Sequence, residues 1–371
     1  MKKIIFIIPL LSSFKLFIND IAQKLNKKGV KVILITNNES QETLENIKIH
    51  HLKLPRGLNI LSYFKCALHI RKILLKEQPH IVHAHFTTAI LATRLSGVIH
   101  HYKSFAMCHG LMFNSRSSNI KKYIFKAIEY FAYKPYDVLY MLNEQDIKDT
   151  KKKFKNVKKI TKFGLGCNVQ RFSKKHVKPE LMHHIKKELS ISDQDIVLIY
   201  VGRYVDFKGY DIVIKTFIKL SESNKHIKLL TLGSEDILHP TGLSDLETDQ
   251  KNKNINIIDI GFTKDVQNYL AISDLMFFPS QKEGMPVNML EATAMEIPII
   301  TYNSRGCNEI VINNYNGIVV KDLEINSYVK AVQHLLNSPQ LMKIYKENQA
   351  RLKEEVTREI YIKNQILDYG L

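Results

Sequence analysis

The sequence predicts an α/β protein made of two doubly wound, parallel-sheet units of comparable size. Short β-branched runs alternate with helix-period segments, a pattern that implies parallel strands joined by crossover helices. The strand runs are nearly continuous in apolar character, as strands covered on both faces must be. The alternation breaks once, in a polar, basic stretch at 173–178 closed by Pro179, and then restarts. With 371 residues the chain is long enough for two separate cores.

In the first unit, residues 4–8, 30–36, 80–86, 104–108, 137–142 and 158–162 read as strands. Helical patterns at 16–27, 62–76, 87–96, 119–134 and 143–154 lie between them. The N-terminal apolar run is cut short by Lys15 and Asp20 and lacks a small-residue cleavage site. It reads as a buried strand and helix rather than a leader. No apolar stretch approaches the ~20 residues that span a bilayer. In the second unit, 196–201, 227–232, 255–260, 275–278 and 298–302 read as strands, with helices at 210–222, 264–271 and 286–295. Residues 173–188 read as the connection. The domain boundaries that follow are 1–175 and 176–355, with a helix at 356–371 returning to the first domain. In doubly wound sheets ligands lie outside the carboxyl ends of the strands.

The chain is basic, with 54 Lys and Arg against 36 Asp and Glu and a formal charge of +18. Such a surface attracts nucleic acid, anionic lipid or phosphorylated substrates. No stacking platform of interleaved aromatics and no recognition helix is evident, so nucleic acid is not the expected partner. Basic runs at Lys121-Lys122, Lys151 to Lys153 and Lys158-Lys159 read as solvated faces or as contacts for an anionic membrane surface. Four cysteines without a C-x-x-C pair suit a reducing compartment, hence a cytoplasmic protein, and argue against a cysteine-held zinc. His83 and His85 share one face of a strand, but no further residue has ligand spacing, so no metal site is expected.

Chemistry concentrates at strand ends. Glu283-Gly284-Met285-Pro286-Val287 leads into a helix bearing Glu291. Pro286 favours a first helical turn, and Gly284 lets backbone approach a ligand. Each carboxylate can accept hydrogen bonds from neighbouring hydroxyls, and the helix start can take a phosphate oxygen. Gly202-Arg203 and Lys208-Gly209 place a guanidinium fork and an ammonium on one loop, suited to a leaving diphosphate. His109-Gly110 follows the 104–108 strand, where an imidazole can reach a hydroxyl or a phosphate. In Ser304-Arg305-Gly306-Cys307-Asn308-Glu309, Asn308 reads as a helix cap or a ligand contact, and Glu309 is open in the same way.

These residues resemble the retaining GT-B glycosyltransferases of glycosyltransferase family 4, and the resemblance runs along essentially the whole chain. It implies a GT-B fold, two Rossmann-like domains facing each other across a cleft. It implies that Glu283 contacts hydroxyls of the donor sugar and Glu291 the ribose diol. Arg203 and Lys208 would hold the diphosphate, with Gly202, Gly284, Met285, Pro286 and Val287 lining the donor, and Gly261-Phe262 at the base. His109 and Gly110 would sit on the acceptor side, with no metal and no other cofactor required. Many relatives carry glycines after the first strand. Here the segment reads Pro9-Leu-Leu-Ser12-Ser13-Phe14, so the Ser12 and Ser13 hydroxyls are expected to substitute in a loop. Among relatives the chain is similar to enzymes of capsular, exopolysaccharide or lipopolysaccharide assembly. That implies a UDP-sugar donor and a glycan acceptor on a polyprenyl diphosphate, met as a peripheral protein at the inner membrane face. Rival readings are a GT-B sugar-nucleotide epimerase, an inactive sugar-nucleotide-binding partner subunit and a basic nucleic-acid-binding protein.

Overall fold

A computed structural model describes residues 1–55, 57, 59–112 and 119–371, without the side chains of 119 and 121. The chain forms two compact units. One is Met1–Leu165 together with Glu359–Leu371, the other Gly166–Arg358.

The first unit is built on seven parallel strands in the order β3-β2-β1-β4-β5-β6-β7. They are β1 Lys3–Leu10, β2 Lys31–Asn37, β3 Ile47–His51, β4 Ile81–His85, β5 Lys103–Cys108, β6 Val138–Met141 and β7 Val157–Lys159. Apolar side chains fill both faces, as the continuous apolar runs require. Ile5, Ile7, Ile33, Ile35, Val82 and Ala84 pack with Ile70, Leu74 and Ile90 of the covering helices. On β4, Val82 and Ala84 join that cluster, while the intervening His83 and His85 are also fully buried. The strand order reverses between β1 and β4, the position where an open sheet forms a crevice at its carboxyl edge.

The second unit carries six parallel strands in the order β10-β9-β8-β11-β12-β13. These are β8 Ile196–Val201, β9 Ile227–Leu232, β10 Ile257–Gly261, β11 Leu275–Phe278, β12 Ile299–Tyr302 and β13 Gly317–Val320. Here the reversal falls between β8 and β11.

The α/β class and parallel sheets are those read from the sequence, and the differences have local causes. Two edge strands lie outside the elements read from the sequence: β3 interrupts its apolar residues with Lys48, His50 and His51, and β13 is a four-residue strand opened by Gly317 with Ile318 and Val319 partly exposed. Residues expected as a plain connection contain a helix, Pro179–Glu188, started by Pro at its first position. The first strand runs on to Leu10, and a helix, Leu11–Phe17, follows at once. The anticipated loop around Ser12 and Ser13 is therefore helical. All four cysteines are buried and free. Among the described residues no helix is long and apolar enough to cross a membrane.

Candidate functional site

In the second unit, three loops at the carboxyl edge interlock around the β8/β11 reversal. After β8 the chain passes Gly202 and Arg203 and makes a short 3-10 turn, Asp206–Lys208. Gly209 then adopts φ 75°. A Cβ there would lie 2.5 Å from the Pro279 carbonyl oxygen, so only glycine lets this loop press onto the loop after β11. The Gln281 amide donates to the Phe207 carbonyl at 2.9 Å. This contact brings Lys208 beside Glu283, and Nζ donates to Oε1 in an ion pair. Ser280 Oγ donates to the same carboxylate oxygen at 2.8 Å. Gly306, at φ 79°, seats the loop after β12 against the Gly284 carbonyl, which a Cβ would approach to 2.4 Å.

Gly284, Met285 and Pro286 are buried, and Val287 is partly exposed. Pro286 does not enter the first turn as anticipated. Its extended backbone caps the helix Val287–Ala294, because a capping residue keeps non-helical dihedrals. Asn288 ties this helix to β8, its Nδ2 donating to the Val201 carbonyl at 2.6 Å. Likewise Gly306, not Asn308, holds the cap of the helix Cys307–Ile310. Glu291 lies one turn into the Val287–Ala294 helix. Burial pushes its carboxyl up to about 7, against the pull of Arg358 and Arg171. Arg203 does not share a partner with Lys208. It pairs with Asp236 beyond β9, and its guanidinium lies 5.4 Å from the Phe207 ring centre. Gly202 follows β8, with its amide on the Leu232 carbonyl at 2.9 Å. Gly261 closes β10, and Phe262 beyond it is 76% exposed.

In the first unit, the carboxyl edge holds a pocket of about 310 Å³ lined by Pro9, Ser13, Phe86, Thr88, His109 and Gly110 among others. Ser13 reaches this pocket, whereas Ser12 sits on the exposed side of its helix. A neighbouring pocket of about 540 Å³ shares Pro9, Leu10 and Thr88 and extends to Asn37, Lys53 and Asn59. The His109 ring stacks on Phe86 with centres 3.9 Å apart and planes 9° from parallel. Its Nε2 lies 3.2 Å from His85 Nδ1. Burial holds the His109 imidazole down, to about 3. Behind the pocket, fully buried Glu129 accepts from Thr87 Oγ1 at 2.9 Å, Tyr133 Oη at 3.1 Å and the Met112 amide at 3.1 Å. Burial raises this carboxyl to about 7 as well.

Sequence reasoning missed Asp236, Ser280, Phe86 and Glu129. Asp236, Phe86 and Glu129 act through partners remote in sequence, and Ser280, three residues before Glu283, reaches that carboxylate only through the fold of its loop. Among the described residues no cluster of three or more His, Cys, Asp or Glu side chains is placed to hold a metal ion.

Two family models match, one described as Glycosyl transferases group 1 over residues 182–352 and one as Glycosyltransferase Family 4 over residues 16–170. The chain is 28% identical over 294 residues to the UDP-Gal:alpha-D-GlcNAc-diphosphoundecaprenol alpha-1,3-galactosyltransferase of Escherichia coli, covering 75% of this chain and 72% of that one. It is 23% identical to the capsular polysaccharide biosynthesis glycosyltransferase CapM of Staphylococcus aureus, covering 85% and 83% respectively. Among solved structures, Anabaena Alr3699/HepE in complex with UDP and glucose superposes with a TM-score of 0.80 at 14% identity, over 99% of each chain.

Proposed function

The chain belongs to the GT-B glycosyltransferases of the family 4 type, and on that footing we propose a retaining transferase using a UDP-sugar. It would move a hexosyl or N-acetylhexosaminyl group onto a glycan carried by a polyprenyl diphosphate, during assembly of a bacterial surface polysaccharide. The observation that carries this reading is the Lys208–Glu283 pair at the β8/β11 reversal. A cation for a departing diphosphate and a carboxylate for sugar hydroxyls stand together where an α/β sheet binds its ligand. In the transfer, the bond from the anomeric carbon to the diphosphate oxygen breaks and its electrons leave on phosphate. The acceptor oxygen takes that carbon and releases its proton. Arg203 and Lys208 would balance the departing charge without a metal, and Glu291 would accept the ribose hydroxyls. His109 and the first-unit pockets would receive the acceptor. The names of the Escherichia coli and Anabaena proteins, with UDP-Gal and UDP respectively, favour uridine.

The outer face of the first unit supports a peripheral position on the inner, anionic membrane surface. Helices Ile60–Glu77 and Asn119–Tyr133 both pack on the helix Phe86–Leu95. Leu61, Phe64, Leu68 and Leu75, with Tyr123 and Ile124, point outward. Lys65, Arg71, Lys72, Lys76 and Lys122 are exposed among them. Each helix contains one acid, and these, Glu77 and Glu129, are only 5% and 0% exposed. An outward face of apolar groups and cations fits anionic headgroups.

Thermal unfolding with UDP, GDP, ADP and their sugar conjugates, on wild type and Glu291→Ala, tests the donor assignment. Stabilisation by uridine nucleotides, lost in the variant, supports it by mass action. No shift with any nucleotide on folded protein would sink it.

A further inference from the structure

His109 is held from two sides, by His85 and by Phe86. His85 closes β4, is fully buried, and places Nδ1 3.2 Å from His109 Nε2. Its other ring nitrogen, Nε2, is buried without a partner among the described residues. A buried N–H without an acceptor is rarer than a buried acceptor with a lone pair left unused. His85 is therefore best satisfied with its proton on Nδ1, donating to His109. His109 Nε2 must then be the bare nitrogen, and a neutral His109 carries its proton on Nδ1.

Phe86 adds a second constraint. It has φ 67°, a conformation that a bulky residue adopts only when the surroundings impose it. That backbone turns its ring flat onto His109, with centres 3.9 Å apart. Phe17 comes within 5.0 Å of the same imidazole. The next residue, Thr87, is pinned through Oγ1 to buried Glu129 at 2.9 Å, and Glu129 also holds the Met112 amide at 3.1 Å. One carboxylate thus clamps the segments after β4 and β5 that carry the two stacked rings. Strain of this kind collects at functional sites.

We propose that His85 and Phe86 are positioning residues for His109, keeping its single ring proton on Nδ1 so that it acts toward the pocket as a hydrogen-bond donor. The proposal rests on the reading of His109 as a residue of the acceptor side. A protonated His109 would set its Nε2–H against the Nδ1–H of His85, two donors facing each other. His83 gives no relief, because its ring lies 4.1 Å from that of His85 and its Nδ1 is engaged with the Tyr369 hydroxyl at 2.5 Å.

The test combines a spectrum with kinetics on the full chain. In protein labelled with ¹⁵N-histidine, long-range ¹H–¹⁵N correlations report the protonated nitrogen, with His109 assigned by its loss in His109→Gln. The expected result is a proton on Nδ1 at pH 7, and no second proton at pH 5. His85→Asn, whose amide nitrogen can stand in for Nδ1–H, should keep the signature, and His85→Phe should lose it. Phe86→Gly should lower kcat about tenfold with little change in donor KM. Its Tm should hold, because glycine accepts the positive φ. A proton on Nε2 in the wild type, or an unchanged spectrum in His85→Phe, would overturn the proposal. A fully active His109→Ala would instead defeat the acceptor-side reading, even with the Nδ1 signature present.

Discussion

Lys208 Nζ donates to Glu283 Oε1, and this one ion pair joins the loop after β8 to the loop after β11. Both side chains are largely shielded, with 18% and 10% of their surface exposed. Lys208→Met removes the cation proposed to meet the departing diphosphate. We expect kcat/KM to fall by about 10²–10³-fold, the range for deleting one preorganised stabilising donor. Lys208→Arg should recover only part of this, because a planar fork does not replace a point charge. Steady-state kinetics at saturating acceptor checks both variants.

Glu291 predicts a pH effect of defined sign. Its carboxyl titrates near 7 in the folded chain because burial disfavours the charge, against an ordinary value near 4.3 when unfolded. Folding therefore favours the protonated form. This contribution to stability is whole below the unfolded value and is lost as pH rises toward 7. Glu291→Gln should be more stable than wild type at pH 8, by on the order of 1–3 kcal/mol, and nearly equal to it at pH 4.5. In the proposed site the ionised carboxylate accepts the ribose hydroxyls. Affinity for UDP should then weaken as pH falls below 7 in wild type and be poor at every pH in the variant. Unfolding curves and calorimetric titration at several pH values test the two halves separately.

Gly209→Ala tests the close approach of the two loops. The new methyl would meet the Pro279 carbonyl oxygen at 2.5 Å, on a residue already at φ 75°. The left-handed conformation costs an alanine about 1–2 kcal/mol, and relieving the overlap costs about 1–3 more. Denaturant unfolding should show a loss in that range. Donor KM should rise, because Lys208 and Glu283 can no longer close on each other.

Excess EDTA should leave the transfer rate unchanged, since Arg203 and Lys208 are proposed to carry the leaving-group charge. A rate restored only by added divalent cation would overturn that part of the reading.

On the outer face of the first unit, Leu61→Asp with Leu68→Asp places charge on the apolar stripe. Flotation with vesicles rich in anionic lipid should fall at least tenfold, while transfer to a water-soluble acceptor persists. Raising salt should weaken wild-type flotation, as screening of the neighbouring lysines requires. Equal flotation of variant and wild type would remove this face from the membrane assignment.

The parallel architecture was legible because strands such as 196–201 and 275–278 are covered on both faces and so are apolar nearly throughout. Edge strand β3 lacks that signature, and β13 carries it over four residues only, two of them partly exposed. The strand ends bearing Arg203, Lys208, Glu283 and His109 could be read from the alternation of elements. The pairing of Lys208 with Glu283, and of Arg203 with Asp236, could not. Those contacts depend on how the loops fold over one another, through Gly209 against Pro279 and Gly306 against Gly284. The left-handed Phe86 was still less visible, because nothing in His85-Phe86-Thr87 requires it. It stands beside Thr87, which a carboxylate 42 residues away in the chain ties to the Met112 amide.

The final helix has an implication for synthesis. Residues Glu359–Leu371 belong to the first unit, with Tyr369 bonded to His83 and Asp368 to Tyr140 and Lys158. A ribosome therefore completes all seven strands of that sheet long before it delivers the segment that covers them. The first-made half must wait, partly open, while the second is translated. Removing these last residues should harm the amino-terminal half of the molecule rather than the unit that precedes them in sequence.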